Sequence, residues 1–313
     1  MTLIKCPECG KRIEDKVDAC PECACPAEKL EYAGAQQKLN QLWEIYSNEI
    51  FEKFIEDNNA EGAFLCRDLG VFTHCKFKGG GALLCIAASI NSLEIAKLLI
   101  NYGADVNTYH DGKTPLRQAV IFESKENVKL LIDHGADINI KDKDGMTALH
   151  YAVRKSSCET ALLLIDHGAD IHAKDNYGQT PFYDSIKFYA KNELVLLLIE
   201  RGADINAKDD EGWTPLHIAT KYDMTESAEL LIEKDAEINA KDDEGQTPLH
   251  IAAKYGRKEI AQMLIGQGAD IRAKNNAGQT PLDIAVGNKA KEVASNKSKE
   301  TVKLLKKYER KQK

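Results

Sequence analysis

Long hydrophobic runs are absent from this sequence of 313 residues. A helix needs about 20 apolar residues to cross a bilayer, and runs such as LVLLLI at 194–199 are far shorter. The opening MTLIKCPECG also lacks the apolar core of a secretory signal peptide. We therefore expect a cytoplasmic protein that has no membrane partner.

A surplus of positive charge is missing too. The chain has 42 Lys and Arg against 49 Asp and Glu, so its formal net charge is −7. Nucleic acids and anionic membranes attract proteins chiefly through basic side chains. The charge balance therefore disfavours a general nucleic-acid-binding function.

The usual sequence signatures of an enzyme are also lacking. The stretch KGGGALL (78–84) is rich in glycine, but it does not end in the Gly-Lys-Ser/Thr that holds phosphates in a P-loop. The sequence shows no nucleophile elbow and no pair of catalytic carboxylates. We expect a non-enzymatic protein without a small-molecule substrate.

Cysteine, in contrast, is plentiful and concentrated near the start of the sequence. Cys6, Cys9, Cys20 and Cys23 form two C-x-x-C pairs, and Cys25 follows as a surplus thiol. Two such pairs can supply the four thiolates of a tetrahedral Zn²⁺ site, which is then closed and structural. The pattern predicts one structural zinc ion and a reducing compartment. A redox dithiol is the alternative interpretation.

The cysteine segment resembles the short zinc-ribbon modules of many bacterial proteins. The resemblance rests on CPECG and the following CPEC within residues 6–26, and it implies a small structural or adaptor module. Some ribbons bind nucleic acid, but residues 1–26 carry four basic and five acidic side chains and no aromatic residue. The segment therefore lacks the stacking and basic groups that such binding uses. We assign residues 1–26 to the ribbon.

From residue 80 onward the sequence repeats itself. DEGWTPLHIAT (210–220), DEGQTPLHIAA (243–253) and KDGMTALHYAV (143–153) are near-duplicates, and GAD-containing motifs recur with them at a period of about 33 residues. Thr247 suits a helix N-cap, and Pro248 suits the first helical position. A second helix is predicted over 258–266. Because one such unit cannot bury both helices alone, the period predicts a stacked solenoid.

These motifs resemble the ankyrin repeat over residues 80–313. The resemblance implies a mainly α-helical solenoid in which each unit has a helix pair and a β-hairpin, and it implies that His150, His217 and His250 hydrogen-bond loop backbone. Residues 27–79 are predicted to form a helical linker and a divergent N-terminal cap. Two departures are Tyr183 in the histidine position and Asp235 where glycine belongs. The seven units, of which the last is a cap, begin near Gly80, Gly112, Gly145, Gly178, Gly212, Gly245 and Gly278.

The positions that vary between repeats predict where a partner binds. In the ankyrin family the hairpin tips and the first helices line one concave face, and aromatic side chains often anchor protein interfaces. Solvated amphipathic cover is the alternative for the same residues. The candidate partner-binding residues are Tyr177, Lys187, Phe188, Asp210, Glu211, Trp213, Lys221, Tyr222, Asp243, Glu244, Lys254 and Tyr255.

The sequence favours a scaffold or adaptor that binds a protein on the concave repeat face. One alternative is a nucleic-acid-associated regulator that uses the ribbon. Another is a secreted effector that acts on host proteins, since bacterial-type ribbons stand beside eukaryote-like repeats.

Overall fold

The computed structural model describes residues 3–5, 12–14, 80–101, 103–109, 112–290 and 296–311. The chain divides into two compact units, Met1–Ala136 and Asp137–Lys313. In the described part of the chain, no helix is both long and apolar enough to span a membrane.

The first unit contains one short hairpin near its start. Strand β1 (Leu3–Lys5) pairs antiparallel with β2 (Arg12–Glu14), and Ile4 lies opposite Ile13. These strands lie on either side of the first C-x-x-C pair in the sequence. Cys6, Cys9, Cys20 and Cys23 lie outside the described residues, and so does the predicted linker and cap of 27–79.

Two helix pairs complete the described part of the first unit. Leu84, Ala87 and Ala88 are buried in this helical core. The Ser124 hydroxyl donates a hydrogen bond of 3.0 Å to the carbonyl of Ala88, which links consecutive pairs. The helices are α1 (Gly80–Ser89), α2 (Leu93–Asn101), α3 (Pro115–Ile121) and α4 (Lys125–Asp133).

The second unit continues the same pattern with five further helix pairs in its described residues. The first helix of a pair packs on the first helix of the next, as α5 packs on α7 and α9 on α11. The helices are α5 (Ala148–Arg154), α6 (Cys158–Asp166), α7 (Pro181–Lys187), α8 (Asn192–Glu200), α9 (Pro215–Lys221), α10 (Thr225–Glu233), α11 (Pro248–Tyr255), α12 (Lys258–Gly266), α13 (Pro281–Ala290) and α14 (Asn296–Lys311). The prediction of a mainly α-helical repeat array is confirmed, and α12 has the bounds expected from the sequence.

Small residues allow the first helices to pack closely. Ala152, Ala219 and Ala252 are fully buried at equivalent positions of α5, α9 and α11. Leu164 and Leu264 of the second helices are fully buried as well. Protein interiors are close-packed, so a change in side-chain volume at these positions lowers the stability of the fold. The repeat motif is thus a packing requirement as well as a sequence pattern.

The histidines of the repeat motif join neighbouring repeats. The backbone N–H of Thr147 donates to Nδ1 of His150 at 3.1 Å, so Nε2 carries the ring proton and donates to the carbonyl of Gln179 at 3.1 Å. His217 and His250 make the same contacts in their own repeats. The structural role implied by the resemblance is confirmed. Among the described residues, no group of His, Cys, Asp and Glu side chains could hold a metal ion.

The turn between the two helices of a pair uses a left-handed residue that the sequence did not reveal. In the sixth repeat this residue is Gly256, with φ +68°. The equivalent residues of the first five repeats have positive φ without being glycine, and Tyr189 at φ +57° is the bulkiest of them. The next N–H, of Ala190, donates to the carbonyl of Ser185 at 2.9 Å. This helix-ending hydrogen bond and the packed helices hold the unfavourable backbone angle.

Candidate functional site

Lysine and aromatic side chains form an aligned column at the ends of three successive first helices. Lys187, Lys221 and Lys254 stand in the last turns of α7, α9 and α11. Each is followed by an aromatic residue, and these are Phe188, Tyr222 and Tyr255, with exposed fractions of 43%, 44% and 38%. Six of the candidate residues therefore occupy equivalent positions in three successive repeats of the second unit.

Trp213 lies in a cavity of about 260 Å³ between the hairpin tips and the first helices. Its ring contacts His217, with centroids 5.7 Å apart. Its backbone N–H donates to Oδ1 of Asp209 at 2.8 Å, which fixes the hairpin tip. We call this cavity the tryptophan groove. It is lined by Tyr177, Gln179, Tyr183, Lys187, Asp209, Asp210, Glu211, Trp213, Ile218, Lys221 and Tyr222.

A second cavity of about 640 Å³ lies between the sixth and seventh repeats. Asp243 and Glu244 of the hairpin tip line it together with Lys254 and residues of the last repeat. Phe188 and Tyr255 line neither cavity. The structure thus brings seven of the twelve candidate residues to the tryptophan groove, three to the second cavity, and leaves two on the column beside them.

Phe188 packs against an ion pair between Arg154 and the buried Asp184, which sequence reasoning missed. The guanidinium of Arg154 lies 4.6 Å from the centre of the Phe188 ring. Arg154 donates from Nε to Oδ2 of Asp184 at 2.6 Å and from Nη2 to Oδ1 at 3.2 Å. Asp184 is fully buried, and this burial raises its pKa to about 6 although Arg154 opposes the change. The detectable signal was an acid at a helix position where later repeats have Ile218 and Ile251.

Tyr183 also makes a contact that its sequence position did not disclose. Its hydroxyl donates to Oδ2 of Asp209 at 2.6 Å, across to the next hairpin. Burial raises the pKa of Tyr183, so the phenol stays protonated and keeps this bond. Tyrosine thus replaces the inter-repeat link that histidine makes elsewhere, with a side-chain acceptor in place of a carbonyl.

An aspartate begins the hairpin tips of the third to sixth repeats, and in one of these four the Oδ2 atom has no hydrogen bond from the described residues. Its Oδ2 accepts from Tyr151 at Asp142 and from Tyr183 at Asp209, in both cases at 2.6 Å. At Asp175 the same atom lies 3.6 Å from Nη2 of Arg154. At Asp242, which is only 6% exposed, Oδ2 is buried and receives no hydrogen bond from the described residues. Burial raises the pKa of Asp242.

Comparisons with known proteins agree with this architecture. A family model described as "Ankyrin repeats (3 copies)" matches residues 46–142, 84–175, 137–209 and 173–242, and one described as "Ankyrin repeats (many copies)" matches 231–285. Among solved structures, the ankyrin repeat domain of Bcl-3, described as a unique member of the IkappaB protein family, is similar with 30% sequence identity and a TM-score of 0.62. The similarity covers 71% of this chain and 97% of that domain. No curated protein matches the chain.

Proposed function

Because this chain belongs to the ankyrin-repeat family, we propose that it is a non-enzymatic scaffold or adaptor that binds a protein partner through its repeats. The tryptophan groove is the centre of the proposed binding face. The observation that carries the proposal is the convergence of Tyr177, Trp213 and Tyr222 with charged side chains in one open cavity. Aromatic anchors in a partly desolvated setting, with charges at the rim, are the usual composition of an interface hot spot.

The charge distribution of the groove supports a protein partner over a small molecule. Asp210 and Glu211 stand exposed at the hairpin tip, whereas Lys187 and Lys221 stand on the helix side. Opposite charges on two walls fix the orientation of a peptide segment and suppress wrong partners. Tyr177 is 66% exposed at the mouth, so it can contact a large partner without any movement of the backbone.

A double substitution tests this function. Trp213→Ala with Tyr222→Ala is expected to abolish capture of the partner by the full chain, because hot-spot aromatic residues carry most of the binding energy. Tyr189→Ala is the matched control, since Tyr189 is 64% exposed but does not line the groove. The control should capture the partner as the wild type does, and all variants should be compared by thermal melting. Equal capture by the double variant would remove the proposal.

We further propose that Cys6, Cys9, Cys20 and Cys23 bind one structural zinc ion, so that residues 1–26 form an appended module. The spacing of the cysteines supports this, and so do the flanking strands β1 and β2, whose pairing makes residues 6–11 their connection. The metal would supply most of the folding free energy of so small a segment. Cys20→Ser should lose zinc and Cys25→Ser should keep it, as measured by elemental analysis. Equal zinc content in both variants would contradict the ligand set.

The division of the chain into the ribbon, a cap over 27–79 and repeats over 80–313 stays a prediction. The proposed binding face lies wholly within Asp137–Lys313, so its test is independent of this division.

A further inference from the structure

The tryptophan groove already holds a cation of its own chain. Nζ of Lys221 lies 5.0 Å from the centre of the Trp213 ring and 5.4 Å from that of Tyr222. The faces of aromatic rings attract cations, and tryptophan attracts them most strongly. The groove is therefore built to accept a positive group on these two rings.

The other charges of the groove favour a positive group as well. Three carboxylates, of Asp209, Asp210 and Glu211, line the cavity together with the ammonium groups of Lys187 and Lys221, so the lining carries a net charge of −1. The Lys187 ammonium donates to Oε1 of Gln179 at 2.9 Å. If Lys221 leaves the rings, the net charge of the lining becomes −2, because one positive charge is removed.

The register of the repeats relates Lys221 to a buried carboxylate, that of Asp242. Arg154 lies two repeats earlier, at the position equivalent to Lys221, and Asp175 lies at the position equivalent to Asp242. Arg154 and Asp175 form an ion pair. Asp242 has a buried Oδ2 without a hydrogen-bond donor in the described part of the chain. A buried acceptor left unsatisfied is unfavourable, so an ammonium group that moves to Asp242 relieves this cost while it vacates the rings of Trp213 and Tyr222.

We propose that the tryptophan groove binds an arginine side chain of the partner protein, which replaces Lys221 on the rings of Trp213 and Tyr222 while Lys221 moves to Asp242. This inference rests on the proposed function and names the group that the site recognises. A guanidinium stacks on an aromatic face and donates two hydrogen bonds to a carboxylate at the same time. Asp210 and Glu211 at the rim supply that carboxylate.

The chain contains its own example of this mode of recognition. Arg154 lies against the ring of Phe188 and donates two hydrogen bonds to Asp184. The groove offers the same two elements, a ring and a carboxylate, on an open surface. An acidic side chain of a partner could reach Lys187 and Lys221, but it would meet three carboxylates and the negative faces of the rings.

Small capped amino acids test the proposal on the full chain. Trp43 is the other tryptophan of the sequence, so Trp43→Phe leaves Trp213 as the single tryptophan, which can be excited selectively at about 295 nm or above. N-acetyl-arginine methylamide should change Trp213 fluorescence saturably, at least about tenfold more tightly than the uncharged citrulline analogue, because only the guanidinium has a charge for the rings. An equal response to citrulline, or a stronger one to N-acetyl-glutamate methylamide, would overturn the assignment of arginine.

The movement of Lys221 is tested by a double-mutant cycle with the same probe. Asp242→Asn should weaken arginine binding severalfold, since Lys221 loses its new acceptor. Lys221→Met should bind at least as tightly as the wild type, and adding Asp242→Asn to it should have no further effect. Should Asp242→Asn unfold, Lys221→Arg provides the second measurement, and it should bind the probe severalfold more tightly because its guanidinium stays at Asp242. Equal effects of Asp242→Asn with and without Lys221 would refute the movement.

Arginine recognition and the proposed binding face can be refuted separately. Partner capture that depends on Trp213, together with no preference for the arginine probe, would refute the arginine inference alone. Capture that is indifferent to the Trp213 and Tyr222 substitutions would refute the binding face itself.

Discussion

The fourth repeat and the two repeats after it reach the same fold with different chemistry. The fourth uses Tyr183 and Asp184 at the start of α7, where the fifth has His217 and Ile218 at the start of α9. Tyr183 and Asp184 require the partners Asp209 and Arg154 from neighbouring repeats. α7 keeps the Thr180 cap, but the histidine ring that bonds back to the cap backbone is replaced by side chains that bond to both neighbouring repeats, so the stability of this repeat depends on both neighbours.

The largest expected effect comes from breaking the ion pair of the fourth repeat. Arg154→Ala leaves the fully buried Asp184 without its hydrogen-bond donors, and we expect the free energy of unfolding to fall by about 3–5 kcal/mol at pH 7. The loss should be smaller below pH 6, where neutral Asp184 is less costly to bury. Urea unfolding at several pH values measures both.

A matched variant shows whether the pair or the packing matters. Asp184→Ile gives the fourth repeat the isoleucine of the fifth and sixth, and Arg154→Leu removes the unpaired charge, so the double variant should recover most of the lost stability. If the double variant were as unstable as Arg154→Ala, the account of Asp184 as an unpaired buried charge would be wrong.

Acid should lower the free energy of unfolding through the buried histidines of the repeats. Burial lowers the pKa of His150 and His217 to about 4, so between about pH 6.5 and 4 the unfolded chain binds more protons than the native one. Stability therefore falls as pH decreases through that window. Asp184 acts in the opposite direction between about pH 6 and 4, because its pKa is raised in the native state. We expect a net loss on the order of 4 kcal/mol, because the two histidines together shift by more pKa units than Asp184 does, and chemical unfolding across the window measures it.

The control for this pH dependence is His217→Gln. It removes one titrating group, so it should reduce the slope of stability against pH even though it lowers stability throughout. An unchanged slope would mean that His217 is not held neutral by burial.

A smaller effect is expected at the turn after the second helix of the fifth repeat. Asp235 has φ +63°, where other repeats have glycine, as at Gly202 and Gly268. Asp235→Gly should raise the free energy of unfolding by about 1 kcal/mol, because glycine enters this region without a steric penalty. Gly268→Asp is the reverse control, since a Cβ there meets no atom within 4 Å and the cost is conformational. No gain at Asp235 would show that its carboxylate compensates for the strain.

The smallest effect comes from giving the fifth repeat the arginine of the third. Lys221→Arg should reach Asp242 as Arg154 reaches Asp175, and it should add about 0.5–1 kcal/mol of stability. Thermal melting of the variant against Lys221→Met measures it. Equal melting temperatures would indicate that Asp242 has no need of a donor.

The sequence alone predicted the parts of the fold that depend on local and repeated chemistry. Thr247 and Pro248 marked the start of α11, and the apolar spacing marked α12, because caps and helical faces are local properties. The candidate groove residues were identified since they vary at fixed positions of the motif. Their common cavity follows from the register of the repeat.

What the sequence did not reveal depends on pairings between repeats. Arg154 reaches Asp184 only because α5 packs on α7, and no spacing within one repeat indicates that pair. The left-handed backbone of Tyr189 is imposed by the packing of two helices against the preference of the residue itself. The Oδ2 atom of Asp242 has no donor among the described residues, whereas side chains of the same or a neighbouring repeat reach the equivalent atoms of Asp142, Asp175 and Asp209.

Hydrogen exchange of the full chain with its bound partner tests the proposed binding face most directly. The account predicts slower exchange in the hairpin tips around 209–213 and at the end of α9, and unchanged exchange in the turn of 223–227, which lies outside the tryptophan groove. Protection confined to that turn and to the second helices, with none at Trp213, would contradict the account.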